Sequence, residues 1–352
     1  MSFRDFFKRW QNFETEHELD DAIAPGSSVR RILLLIAVLM ALLVIIGMYW
    51  SVSPSNWDVR EKANEILSVN EQPMVIGATT TATLIGVMET LLDKRGGYLS
   101  NDKMPPGVWL DNMPNWEFGV LVQSRDLARA MRETFSRSQS QSREDSDLAD
   151  AEPRLNFSND SWLMPASETE YRDGIGYLYH YLNRLADPTE PTAQFYARAD
   201  NLANWLAMVE TRLGSMSQNL SASVGVKRFN TDLAGETAAR QSTESGMELE
   251  IRTPWTKLDD VFYEAQGSSW ALIQFLKAIE VDFADVLKKK NALVSLQQII
   301  RELEGTQQVV WSPVILNGTG FGIMANHSLV MASYISRAHA AITDLRELLT
   351  RG

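Results

Sequence analysis

ILLLIAVLMALLVIIGMYW, residues Ile32 to Trp50, is the stretch on which the reading of this chain turns. It contains no charged side chain and a single glycine. Nineteen residues at a helical rise of about 1.5 Å reach roughly 28 Å, close to the hydrocarbon thickness of a bilayer. A core helix of a soluble domain would show a polar face somewhere along such a length, and this run shows none. Tyr49 and Trp50 close it and Trp57 follows, residue types that favour the headgroup level.

Working outward, the run reads as an uncleaved signal-anchor. The segment before it is about thirty residues long, the apolar stretch exceeds that of a signal peptide, and no small-x-small cleavage site follows in MYWSVSPSNW. Arg30 and Arg31 directly precede the span, and Arg4, Lys8 and Arg9 lie further upstream; beyond it the nearest basic residues are Arg60 and Lys62. That asymmetry places the N-terminus in the cytoplasm. In the leader, residues 1–31, Phe3, Phe6, Phe7, Trp10 and Phe13 recur at helical spacing among basic residues. This spacing predicts a short amphipathic helix lying in the cytoplasmic interface. Glu14 to Asp21 then reads as a solvated acidic linker.

The remainder is long enough for one large domain or two ordinary ones in a chain of 352 residues, and an apolar content of 45% supplies a sizeable core. A net charge of -12 and an isoelectric point near 4.9 make the chain a poor partner for nucleic acid or for anionic lipid headgroups. The absence of cysteine excludes a disulfide framework, a thiol nucleophile and thiolate metal sites.

Helical periodicity dominates beyond the exit linker Ser51 to Asn56. Leu84, Val87, Met88, Leu91 and Leu92 form one apolar stripe within Thr79 to Arg95, stopped by Gly96 and Gly97. GGYLSNDKMPPGVWLDNMPNWEFG reads as an ordered loop packed by aromatics, and Arg125 to Ser136 as a helix. Ser138 to Glu152 is polar and aperiodic, a candidate subdomain boundary, and Thr231 to Gly246 is similar. Between them, Ser167 and Glu170 have capping-box spacing ahead of Tyr177, Leu178, Tyr181, Leu182 and Leu185. Pro191-Thr192 opens a second helix with Phe195, Leu202, Leu206, Val209 and Leu213, ending at Gly214. A short connection of this kind implies antiparallel packing. An offset of 91 residues lays this pair on a later one: Tyr171 on Phe262, Gly176 on Gly267, Leu182 on Ile273, Val209 on Ile300, Gly214 on Gly305. The agreement reads either as an internal duplication or as two amphipathic hairpins that slide into register. Val309 to Leu316 reads as a short strand or buried extended segment, NGTGFG as a turn, and Ala325 to Leu349 as a long final helix. The expected fold is therefore mainly α: one transmembrane helix, then an all-α bundle with few or no strands.

Catalytic motifs are sparse. The histidines are His17, His180, His327 and His339, without an H-E-x-x-H arrangement; His327 and His339 would lie about 18 Å apart along one helix, too far to share a metal. No Walker A or G-x-S-x-G elbow occurs, and the glycines 318, 320 and 322 lack dinucleotide-binding spacing. No cofactor is implied. Asp259, Asp260 and Glu264 cluster beside Trp255, Tyr263 and Trp270, the composition a glycoside-cleaving site needs; acids opening a helix also suit its dipole. Trp109, Trp116, Trp162, Trp205, Trp255, Trp270 and Trp311 serve either as core and loop anchors or as the lining of a groove for a glycan, lipid or peptide.

The phrases GGYLSND, PNWEFGVL, SQSQSRED, LNFSNDSW and FYEAQGSSWALIQFLKAIEVDF, with the leader and anchor, resemble the proteobacterial family called domain of unknown function 2333 across almost the whole chain. The resemblance implies a Gram-negative source, an inner-membrane anchor and a periplasmic domain, residues 51–352; it brings no activity and no site residues. Three roles follow as expectations: a binding or scaffold module of the cell envelope with a protein or glycan partner, a periplasmic hydrolase acting on the wall, or an accessory subunit of a larger membrane complex.

Overall fold

The computed structural model describes residues 27–138, 143–189, 192–229, 248–312, 314–319 and 322–351. The interfacial helix expected in the leader and the polar stretch Thr231 to Gly246 lie outside the described residues. Helix α1 (Ser27–Trp50) contains the whole apolar run, carries Arg30 and Arg31 at its start, and is long and apolar enough to cross a membrane. The chain divides into two compact units, Met1–Tyr49 and Trp50–Gly352.

The second unit is a helical bundle. Its helices are α2 (Val59–Ser68), α3 (Ala78–Asp93), α4 (Asn112–Ala130, continuing into a π-turn at Met131–Phe135), α5 (Ser146–Leu155), α6 (Ser167–Leu185) and α7 (Ala199–Ser221). After a ribbon of two short antiparallel strands, β1 (Val226–Phe229) and β2 (Glu248–Ile251), come α8 (Leu258–Asp282), α9 (Ala284–Lys289), α10 (Leu293–Glu304) and α11 (His327–Thr350).

Helix α8 is the axis. It packs most extensively on α4 and also on α3, α10 and α7, and every residue from Ala265 to Leu276 is buried. Two glycines set its distance from α4. A Cβ on Gly267 would sit 2.0 Å from the Trp116 carbonyl oxygen, and one on Gly119 would sit 2.1 Å from that of Glu264. Backbone therefore lies on backbone, with the Trp116 and Trp270 rings packed beside the crossing at 5.2 Å.

Two buried carboxylates tie distant elements together. Asp282, at the end of α8, accepts the Thr80 N–H and Oγ1–H, both at 2.6 Å, and so caps the N-terminus of α3 from another helix. Glu117 on α4 accepts the Leu99 and Ser100 N–H groups at 2.8 Å and the Ser100 hydroxyl at 2.5 Å, and pairs with Lys94. Burial pushes the Glu117 carboxyl up, while Lys94 and these donors favour its charged form.

Several local expectations are corrected. Helix α4 starts at Asn112, well before Arg125, because Pro114 falls within the first turn, where no intrahelical N–H bond is lost. The capping box does not form: the N-cap is Ala166, the Ser167 hydroxyl donates to Ser158 and Ser161 carbonyls, and Glu170 pairs with Arg154 at 2.7 Å. The second half of the polar stretch Ser138 to Glu152 is helix, part of Ser146–Leu155, capped by Asp145 and clamped by Arg184. Helix α7 begins at Ala199 rather than near Pro191 and runs through Gly214. Nor do α6 and α7 pair closely. The extended connector lets α6 pack on α5 and α3, while α7 packs on α11. The described residues between Val309 and Leu316 form neither a strand nor a buried segment, since Val309, Trp311 and Val314 are exposed.

The bundle has two distinct ends. At one, the Trp50 ring covers Gly96, just beyond α3. The starts of α4, α6 and α8 meet there: Asn115 bonds Asp260 at 2.9 Å, and Asn101 bonds Glu168 at 2.7 Å. At the far end Phe135, Phe195 and Phe283 form a triangle with centroids 5.3–5.8 Å apart, closing the core.

Candidate functional site

Burial sorts the tryptophans of the bundle. Trp116, Trp205 and Trp270 are buried and belong to the core; Trp109, Trp162, Trp255 and Trp311 are exposed. The last of these stands on a groove of about 320 Å³. One wall is α11, which supplies His327, Val330, Met331 and Tyr334. The other is the extended segment Gln308 to Ser312, and Phe262 of α8 with Gly305 and Thr306 closes the floor.

Local structure explains why this groove is open. Helix α10 ends at Gly305, where a Cβ would strike the Tyr334 ring at 2.4 Å, so the ring lies close over the turn. The Arg337 guanidinium stands 4.6 Å from the centroid of that ring and pairs with Glu302 at 2.7 Å. The His327 Nδ1 accepts the Leu316 N–H at 3.1 Å and the His327 N–H donates to the Leu316 carbonyl at 3.0 Å, which pins the segment to α11 without covering the groove. Val309 and Trp311 are 72% and 93% exposed, values that leave both faces of the indole ready to be covered.

A second, larger groove of about 710 Å³ runs between the exit linker Val52 to Ser55 and α3. It is polar. Lys62 lies 3.7 Å from Glu89, which also accepts the Tyr179 hydroxyl at 2.7 Å, and Asp93 pairs with Arg172 at 2.7 Å.

The three acids singled out from the sequence occupy the first two turns of α8. Asp260 accepts Lys257 at 2.7 Å and Asn115 at 2.9 Å, so it joins the starts of α4 and α8. Burial raises the Asp259 carboxyl, with Asp111 adding to the effect. Glu264, one turn beyond Asp260, is half-buried and its carboxyl is pushed up by burial, a shift opposed by Arg212 and reinforced by Asp260. Arg212 itself is engaged by Asp126 at 2.8 Å. None of the three acids lines either groove described above, and of their aromatic neighbours Trp270 is buried in the core while Trp255 is 83% exposed. Among the described residues no group of three or more His, Asp or Glu side chains is arranged to hold a metal ion. In the sequence Trp311 is only one of seven tryptophans that serve either as anchors or as the lining of a groove; which of them stands on a groove, and which residues form its walls, was not legible.

Over residues 25–352 the chain matches the family described as an uncharacterized protein conserved in bacteria, domain of unknown function 2333, and it belongs to that family. No curated protein and no solved structure matches it.

Proposed function

We propose that this member of the family is held in the bacterial inner membrane by α1, with its N-terminus cytoplasmic and its bundle periplasmic, and that the bundle binds another envelope component in the groove at Trp311. The supporting observation is that groove: apolar walls, an almost fully exposed tryptophan at the rim and a few polar groups, Gln308, Ser312 and His327, in its lining. Such a composition suits an apolar or aromatic segment of a partner protein, or the face of a sugar ring. A photo-crosslinking residue placed at Val330 in cells tests this. A discrete adduct that disappears with Trp311→Glu, and that is not formed from Val294 elsewhere on the surface, is the expected result; the same adducts from both positions would remove the basis for the reading. An alkaline phosphatase fused after Gly352 is active if the bundle is periplasmic and inactive if the orientation is reversed.

A second reading, hydrolysis of a wall glycan, has one observation in its favour: the Glu264 carboxyl is half-buried beside Asp260, and burial pushes it up, the direction in which a general acid is tuned. Turnover of a wall substrate that is lost in Glu264→Gln would support it, and unchanged turnover in a variant with Asp259, Asp260 and Glu264 all replaced by amides would dismiss it.

A further inference from the structure

Six large apolar side chains are exposed on neighbouring loops at the Trp50 end of the bundle, whereas the far end is closed by the packed phenylalanine triangle and exposes only scattered apolar residues such as Val69 and Val294. Two loops carry the six. The first holds Met104, Val108 and Trp109, at 76%, 51% and 52% exposure; the second holds Trp162, Leu163 and Met164, at 59%, 56% and 87%. The loops are stitched to each other. Asn101 donates to the Ser161 carbonyl at 2.8 Å and to Glu168 at 2.7 Å, and the Tyr98 hydroxyl donates to the Asn159 carbonyl at 2.9 Å. Tyr98 and Asn101, which make these bonds, follow closely on Gly96, and the Trp50 ring covers Gly96.

Trp50 is the last residue of α1. If α1 spans a bilayer, Trp50 sits at headgroup level whatever the tilt of the helix, and the backbone packed against it is there too. Two neighbouring loops tipped with Trp, Leu, Val and Met then face an interface in which these side chains are stable, and in which indole rings are favoured over both water and hydrocarbon. In water the same six side chains would form an exposed apolar surface of the kind soluble domains avoid.

We propose that the loops 104–109 and 162–164 insert into the headgroup layer of the leaflet from which Trp50 emerges, so that the bundle is seated on the membrane and does not swing from its linker. This rests on the reading of α1 as a membrane anchor. The chain has no cysteine, so single cysteines label cleanly. Full-length protein carrying Val108→Cys or Leu163→Cys, with Val69→Cys and Val294→Cys as far-end controls, is labelled with an environment-sensitive fluorophore. It is then reconstituted in vesicles of phosphatidylethanolamine with a minor share of phosphatidylglycerol. The expected result is quenching by lipid-borne nitroxide at positions 108 and 163 at least about twofold stronger than at 69 and 294, with the reverse order for aqueous iodide. Adding Trp109→Glu and Met164→Glu should abolish the difference. Equal quenching at both ends overturns the seating while α1 stays in the membrane. Shielding from iodide without nitroxide quenching also overturns it, and points to a protein surface or a second copy as the occupant. Extraction of the unlabelled chain by alkaline carbonate overturns the anchor, and the seating with it.

Discussion

Residues 167–214 and 258–305 share the same apolar spacing at an offset of 91 residues and differ in nearly everything around them. Helix α6 is buried along one stripe, and a Cβ added to Gly176 would meet nothing within 4 Å. Helix α8 is buried all round through its middle, from Ala265 to Leu276, and the matching Gly267 is pressed on the Trp116 backbone. Gly214 lies inside α7, where an added Cβ would come 3.3 Å from His339, while Gly305 ends α10 beneath the Tyr334 ring. Asp173 is exposed and pairs with Arg154 at 3.2 Å; Glu264 is half-buried, and burial pushes its carboxyl up. The difference teaches that an apolar repeat reports the existence of a buried face but not how many neighbours that face will have. The number of neighbours decides what each position tolerates.

The comparison can be broken or sharpened by substitution. The largest effect belongs to Gly267→Ala, which must force the α4 and α8 backbones apart; stability measured by thermal or denaturant melts of the full chain should fall by about 3 kcal/mol or more. Gly305→Ala meets a ring that can rotate, and a smaller loss of about 1–2 kcal/mol is expected. At Gly176→Ala the sign reverses: open space and helical backbone predict a gain of about 0.5–1 kcal/mol in the same melts. A loss at Gly176 comparable to that at Gly267 would make the two helices equivalent after all. A smaller effect is that of Glu264→Gln. Because burial raises the Glu264 carboxyl in the folded state, the native chain is relatively most stable below the unfolded carboxyl pKa and loses that advantage as pH rises through the folded value. The variant should therefore be more stable than the native chain at neutral pH, by less than about 1 kcal/mol, and the gap should close on acidification. The smallest effect is expected of Asp173→Asn, which breaks an exposed pair and should shift stability by no more than about 0.5 kcal/mol.

The helices that carry one clear stripe were legible in advance: α3 with its Gly96 and Gly97 stop, α6 with Leu178, Leu182 and Leu185, and α11 to within two residues at its start. Boundaries failed where a side chain found a better partner elsewhere. Ser167 has the spacing of a cap, but the Ser158 and Ser161 carbonyls claim its hydroxyl. Phe195 has helical spacing with Leu202, yet it leaves the helix to pack on Phe135 and Phe283. The acids on α8 were legible as a cluster; that Asp260 joins two helix starts was not, since Asn115 lies 145 residues away. The groove at Trp311 depends on how a segment is pinned to α11, which no local pattern encodes.

The bond from Asp282 to Thr80 also has a meaning in time. Its two ends are 202 residues apart, so during synthesis the first turn of α3 waits for its cap until most of the bundle has been made. Gly267, the glycine against which α4 must close, likewise arrives late. The early helices cannot finish as an independent piece. A ribosome stalled before residue 282 should hold a nascent chain that proteases still cut within α3, and one stalled well beyond it should not.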